Sequence, residues 1–375
     1  MSEWTRTTLD QLVKLRRGHD LPTTSRNPGN VPVVGAAGPS GFHDTAIVKA
    51  PGVVVGRAGA SMGHATYCGE DFWPLNTSLY VTDFLGNDPR FVYHLLGEID
   101  FSGYNSGAAQ PMLNRNYITQ IPISLPDPDE QRSIAAVLGA LDEKIAVNER
   151  IAATCEQLLQ CRFAELGLGD EPDGESEMPI TDLIAFGPKL GKPAAAEPVY
   201  VDMAALQTSR AGIPSWTRRE PKSGPRFMNG DTLMARITPC LENGKTGYVD
   251  FMEDGEIGLG STEFIVMRSL PGVPSELSYF LARDPGFREH AIRNMVGSSG
   301  RQRVSAADAS NYSVRSPDTE QLAAFGKEAS AAFAHMKSLE SESRTLATLR
   351  DTLLPQLMSG RIRVKDAEKI VEDHV

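Results

Sequence analysis

The sequence predicts an α+β protein: two repeated α/β heads separated by long α-helices that pair as an antiparallel coiled coil. Three observations carry this. Pro126-Asp127-Pro128-Asp129-Glu130-Gln131 returns as Pro317-Asp318-Thr319-Glu320-Gln321, about half the chain later. Each copy opens a heptad pattern, and each follows a stretch of globular composition. The repeat also enters the heads, because Gly230-Asp231-Thr232-Leu233-Met234-Ala235-Arg236 echoes Gly52-Val53-Val54-Val55-Gly56-Arg57 with one extra residue.

The first head is assigned to 1–125. Val31–Gly35, Gly52–Arg57 and Ser78–Thr82 read as short strands between Gly, Pro and Asn turns. A helix follows at 89–96 with Pro89 at its start. The central helical spacer is 126–166. In it Ile134, Leu138, Leu141, Ile145, Asn148, Ala152, Cys155 and Leu159 alternate steps of four and three, with Asn148 as a polar break. An acidic linker rich in Gly and Pro occupies 167–178.

The second head spans 179–315. Ser261-Thr262-Glu263-Phe264-Ile265-Val266 is matched to Asn76-Thr77-Ser78-Leu79-Tyr80-Val81, and Tyr279 to Tyr93. The C-terminal helical spacer is 316–361, with a seam of Leu322, Phe325, Ala329, Ala332, Met336, Leu339, Ser343, Leu346, Arg350, Leu353 and Leu357. Pro355 is expected to kink or end it, and Gly360 to stop it. Residues 362–375 are left as a tail. Two long seams most economically pack on each other, with Asn148 and Ser343 helping to set register. The competing arrangement packs each helix on its own head.

At 375 residues the chain can bury a large core, and its 41% hydrophobic and 23% charged content is that of a globular protein. The first residues do not read as a signal peptide, and no apolar run reaches the ~18–20 residues of a membrane span. The four cysteines have no Cys-x-x-Cys spacing and read as reduced thiols, which places the chain in the cytoplasm. The net charge of −11 is unevenly spread: 126–178 carry 4 Lys/Arg against 13 Asp/Glu, whereas 1–125 carry 9 against 10 and 179–315 carry 16 against 15. The near-neutral heads remain compatible with a polyanionic partner, with weak binding by the chain alone.

No catalytic constellation is present. Gly56-Arg57-Ala58-Gly59 and Gly35-Ala36-Ala37-Gly38 lack the spacing of a phosphate loop or a dinucleotide fingerprint. The histidines form no metal-ligand pair. The Asn/Asp-Pro-Pro-aromatic motif of an adenine methyltransferase, the nuclease carboxylate with its Glu-x-Lys partner, and Gly-x-Ser-x-Gly are all absent.

An ordered series of motifs resembles the specificity subunit of type I restriction-modification systems across nearly the whole chain. It comprises Trp4 with Leu9, Arg17–Pro22, Val33–Gly35, Gly52–Arg57, Asp71–Thr77, Gly107–Asn114, Ile121–Pro126 with Glu130-Gln131, and Leu354–Gly360. The second head departs from it, with Ser299–Arg303 in place of Gly107–Gln110 and no Trp-Pro-Leu-Asn-Thr string. The resemblance implies two target recognition domains, each reading one half of a split, asymmetric site in double-stranded DNA. It implies that the helices fix the spacing and dock two methyltransferase (modification) subunits, and that restriction/translocase subunits join the complex. S-adenosylmethionine, ATP and Mg are then expected on those partners and none in this chain, which is non-catalytic. Glu130 to Glu165 as one helix of 36 residues spans ~54 Å, enough to hold heads about one DNA turn apart, ~34–36 Å. A protein-only coiled-coil scaffold and a fused methyltransferase-specificity enzyme are the alternatives.

Thirteen residues are candidates for DNA contact. Arg57 and Arg236 end matched strands and suit guanine edges or phosphates, or are ion-paired surface arginines. Ser61 and Lys245 lie in the loops that follow. Asn76, Thr77 and Thr262, beside Ser78, Ser261 and Glu263, are polar groups at strand starts that read bases or cap turns. Gln110, Asn114 and Arg115, with Arg301, Gln302 and Arg303, offer the donor types suited to adenine or guanine. Trp4, Phe72, Trp73, Tyr93 and Tyr279 are assigned to the core.

Overall fold

The computed structural model describes residues 4–107, 111–170, 174, 176–221, 223–298 and 300–373. The chain divides into two compact units, Met1–Ala146 with Ser343–Val375, and Val147–Glu342.

In the first unit β1 (Thr5–Thr8) and the single turn α1 (Leu9–Leu12) lead to β2 (Lys14–Arg17), β3 (Val31–Gly35), β4 (Gly38–His43), β5 (Gly52–Gly56), β6 (Ala65–Cys68), β7 (Trp73–Pro74) and β8 (Ser78–Asp83). Then come α2 (Pro89–Glu98), α3 (Arg115–Ile118), β9 (Pro122–Leu125) and the long helix α4 (Pro128–Glu165). One sheet has the order β2-β8-β5-β6 and a second the order β4-β3-β7, while β1 pairs with β9 and closes the head. The strand β5 is buried at all five positions. Its period of two divides them: Val53 and Val55 join the core of Phe91, Leu95 and the long helices, and Val54 joins a smaller cluster of Val34 from the second sheet with Phe72 and Tyr80. Burying each such valine contributes roughly 1.5–3 kcal/mol. The helix α2 starts where Asp88 accepts N–H bonds from Arg90 and Phe91, with proline at its first turn.

The second unit repeats this plan. Its elements are β10 (Glu177–Pro179), β11 (Ile184–Phe186), β12 (Val199–Val201), β13 (Thr217–Arg218), β14 (Arg226–Phe227), β15 (Asp231–Ala235), β16 (Thr246–Tyr248), β17 (Gly258–Gly260) and β18 (Phe264–Ser269). They are followed by α5 (Leu277–Arg283), α6 (Pro285–Arg293), α7 (Ala306–Ser310), β19 (Ser313–Arg315) and the long α8 (Thr319–Met358), whose last part belongs to the first unit, as does α9 (Val364–Glu372). The order β11-β18-β15-β16 matches β2-β8-β5-β6, the parallel pair β12/β17 matches β3/β7, and β10/β19 matches β1/β9. Again the central strand splits its faces. Met234 faces the core of Phe280, Phe163 and Phe325, and Leu233 faces that of Val199, Val201 and Phe227.

Both arrangements foreseen for the long helices occur together. In the first unit Ile134, Leu138 and Leu141 share one core with Leu346, Leu353 and Leu357 and with the head residues Leu9 and Phe91. In the second, Leu159 and Phe163 share a core with Leu322, Phe325, Ala329 and the head residue Phe280. Within the second unit Asn148 donates to Glu342 at 2.7 Å and Arg162 lies 3.3 Å from Glu328, so the two helices run antiparallel. Asn148, the polar break in the seam, is 1% exposed.

Three details differ from the sequence reading. Of the two outcomes expected at Pro355, the helix does not end there: α8 continues through it to Met358, with Leu353 and Leu357 on either side of the proline buried in the core. It stops before Gly360, whose φ of 67° is the left-handed conformation of a helix terminus. The segment read as a tail forms α9, which buries Ala367 and packs Val364, Ile370 and Val371 on the first unit's core. The match of Ser261 to Asn76 is displaced by one residue. Gly56 pairs with Ser78 and Ala235 with Phe264, so Thr262 stands at the place of Asn76 and Glu263 at that of Thr77. A one-residue slip exchanges the faces of a strand, so the buried pattern sets this register.

Candidate nucleic-acid interface

Each head gathers loops at one end of its central strand, and the same backbone bonds build both clusters. Arg57 donates its N–H to the Thr77 carbonyl at 2.9 Å and accepts at its own carbonyl from Leu113 at 2.7 Å. Arg236 does the same with Glu263 at 3.0 Å and Val304 at 3.0 Å. Gly56 donates to His64 as Ala235 donates to Lys245, and Gly59 to Pro111 as Thr238 to Gln302. Short bridges Ala58–Met112 and Ile237–Arg303 complete the equivalence. A Cβ on Gly56 would meet the Ser61 carbonyl at 2.0 Å and that of Ala36 at 2.5 Å, so only glycine admits this close approach of three segments.

The first cluster brings together Arg57, Ser61, Asn76, Thr77, Asn114 and Arg115. Arg57 is half-buried, with Nη2 3.3 Å from the Met112 sulfur, and forms no ion pair among the described residues. Burial, and after it the charge of Arg17, pushes its guanidinium below the ordinary arginine value. Thr77 and Arg115 are exposed, and Ser61 is half-buried. Asn76 donates its amide to Asp20. Asn114 caps α3 by accepting from Asn116 N–H at 3.0 Å, which takes up its carbonyl oxygen. Gln110 lies outside the described residues. Ser78, weighed as a polar group at a strand start, is fully buried and donates to the Leu75 carbonyl.

The second cluster holds Arg236, Lys245, Thr262, Arg301, Gln302 and Arg303. Thr262 and Arg301 are exposed, and Lys245 donates to the Met203 carbonyl at 2.9 Å. Arg303 makes a two-pronged bond to Glu263, both contacts 2.7 Å. That bond holds the Glu263 carboxyl below its ordinary range, against the opposing effect of burial. Arg236 stands beside this pair, and its Nε is buried with no hydrogen-bond partner.

The heads therefore share a scaffold and differ in its side chains. Where the first places Thr77 and Met112, the second places the ion pair of Glu263 and Arg303. Residue spacing could not reveal this exchange, since the partners are 40 residues apart. The match of His64 to Lys245 was also hidden, because the loops before them differ in length.

Two α/β heads of one plan, each with a polar, arginine-bearing loop cluster and packed on long helices, define a duplicated α+β scaffold. Comparison with known proteins shows what the chain is similar to. Residues 1–157 match the type I restriction modification DNA specificity domain. The chain is 27% identical over 212 residues to the type I restriction enzyme EcoEI specificity subunit of Escherichia coli, and 25% identical over 210 residues to the EcoAI specificity subunit. Each match covers 54% of this chain and 35% of the relative's length. The crystal structure of a type I restriction-modification system S subunit from M. genitalium superposes with a TM-score of 0.60 at 17% identity, covering 95% of this chain and 96% of that one. Residues 1–157 are thus similar to a type I specificity domain, and over nearly its full length the chain has the fold of that S subunit. No helix of the described residues is long and apolar enough to cross a membrane.

Proposed function

We propose that this chain is the non-catalytic DNA-recognition subunit of a type I restriction-modification complex. Each loop cluster reads one half of a bipartite, asymmetric site in double-stranded DNA. The observation that carries this reading is the pair Arg57 and Arg236, held by the same backbone bonds in two clusters whose side chains differ. A common frame with different side chains suits two unlike half-sites. Arg115, Arg301 and Gln302 supply donors for base edges or phosphates, and Thr77 and Thr262 supply hydroxyls.

In this reading α4 and α8 set the gap between half-sites and dock two methyltransferase subunits. Restriction/translocase subunits join through the complex, and S-adenosylmethionine, ATP and Mg act on those partners. The test is selection from a random duplex pool by the complex assembled with its modification subunits. Enrichment of two short motifs at a fixed gap supports the proposal. A pool that stays random contradicts it and favours a protein-only scaffold.

A further inference from the structure

The start of β8 in the first head carries an arginine on each side of one strand. β8 lies between β2 and β5. Arg17 ends β2 opposite Leu79, and Arg57 follows Gly56, which pairs with Ser78. Both are fastened to the same loop: Arg17 Nε donates to the Asn76 carbonyl at 3.4 Å, and the Arg57 N–H to that of Thr77 at 2.9 Å. Arg17 is exposed and Arg57 half-buried. Asp20, the acid of the adjoining segment, accepts from Asn76, and neither arginine forms an ion pair among the described residues.

The second head neutralises the same place from within. Glu263 stands where the first head has Thr77, and it takes up Arg303. Two guanidiniums held near each other without an acid repel, and an anion bound between them removes that cost. A phosphodiester suits the place, since arginine forks match phosphate oxygens and the Thr77 hydroxyl and nearby backbone add polar contacts.

We propose that Arg17 and Arg57 form a phosphate anchor in the first head that holds the DNA backbone irrespective of sequence. This rests on the DNA-recognition reading and adds a division of labour to it. The first head carries more of the salt-dependent grip, and the second presents a prearranged Arg236–Glu263–Arg303 group.

The experiment uses the full chain and a labelled duplex of arbitrary sequence, titrated over a range of potassium chloride. Arg17→Gln and Arg57→Gln are each expected to weaken binding several-fold. Each should lower the slope of log affinity against log salt by about one, the value for one lost phosphate contact. Arg17→Lys should restore the slope, and Arg363→Gln, an exposed arginine at the start of α9, should leave it unchanged. Thermal melts confirm that each variant is folded. Because Arg17 is exposed, its substitution tests the anchor even where Arg57→Gln fails to fold.

A slope for Arg17→Gln equal to that of the Arg363→Gln control, in a chain that does bind duplex, overturns the anchor alone. A wild-type chain with no salt-dependent affinity for duplex overturns both the anchor and the DNA reading. Inorganic phosphate at matched ionic strength should displace the duplex no better than chloride. Stronger displacement, lost in Arg17→Gln, would assign the pair to free phosphate instead.

Discussion

Asp127 and Asp318 occupy one place in two copies of the same helix start. Asp127 Oδ1 accepts from the N–H groups of Asp129 and Glu130, each at 2.9 Å, and Asp318 Oδ1 from those of Glu320 and Gln321 at 3.0 and 2.9 Å. The bonds shift the apparent repeat by one residue. Gln131 is equivalent to Leu322, since each donates its N–H to the carbonyl of its aspartate. Asp127→Ala and Asp318→Ala should each destabilise their own unit by about 1 kcal/mol, read from the matching transition in chemical denaturation.

Gln131 is a structural residue of the first unit only. It is 2% exposed, donates to Asn87 and the Pro126 carbonyl, and accepts from Asp88 N–H. Gln131→Leu, copying Leu322, strands those partners and should cost roughly 1–3 kcal/mol. The reverse change, Leu322→Gln, places an amide in an apolar core and should destabilise the second unit. Differential scanning calorimetry of both variants separates the two effects.

His94 makes the first unit acid-sensitive. Burial pushes its imidazole down to about 4, against the opposing pull of Asp142, 3.5 Å away. The unfolded chain takes up this proton near 6.5 and the folded chain only near the depressed value. The unfolded state thus binds more protons between the two, and stability falls as pH drops through that window, by about 3 kcal/mol in all. The residue after Tyr279 in the second head is Phe280, where Tyr93 is followed by His94. His94→Phe should therefore flatten the pH dependence of the denaturation midpoint between pH 6.5 and 4.

The Glu263–Arg303 pair is predicted to govern the second half-site alone. The carboxyl of Glu263 lies below its ordinary value, so the pair's contribution is present above the carboxylate range and is lost as pH falls through the folded value. Thermal melts of wild type and Glu263→Gln should therefore converge at acid pH. The double change Glu263→Thr with Arg303→Met installs the first head's residues. Duplex-pool selection should then show an altered second motif beside an unchanged first one.

Local features were legible in the sequence and distant ones were not. The Asp127 and Asp318 caps act over two or three residues and show as a repeat. The buried run Val53–Val55 reads as a strand because its composition is strand-like on both faces. Gln131 looked like part of a signature, yet its role depends on Asn87, 44 residues away. Thr262 was matched to Thr77 by identity, whereas the backbone pairs it with Asn76, because strand register follows burial. The helix α9 did have a signal, the spacing of Val364, Ala367, Ile370 and Val371. Arg17 was visible inside a motif, but its relation to Arg57 appears only once β2 and β5 flank β8.

Two heads on one frame are proposed to read two unlike half-sites. Methylome sequencing of a host that carries this chain with its modification partners tests it most directly. The expected result is a single modified motif made of two different short halves with a fixed gap, a gap that changes when one helical turn is inserted in α4. A contiguous motif, a gap unmoved by the insertion, or methylation independent of this chain would contradict it.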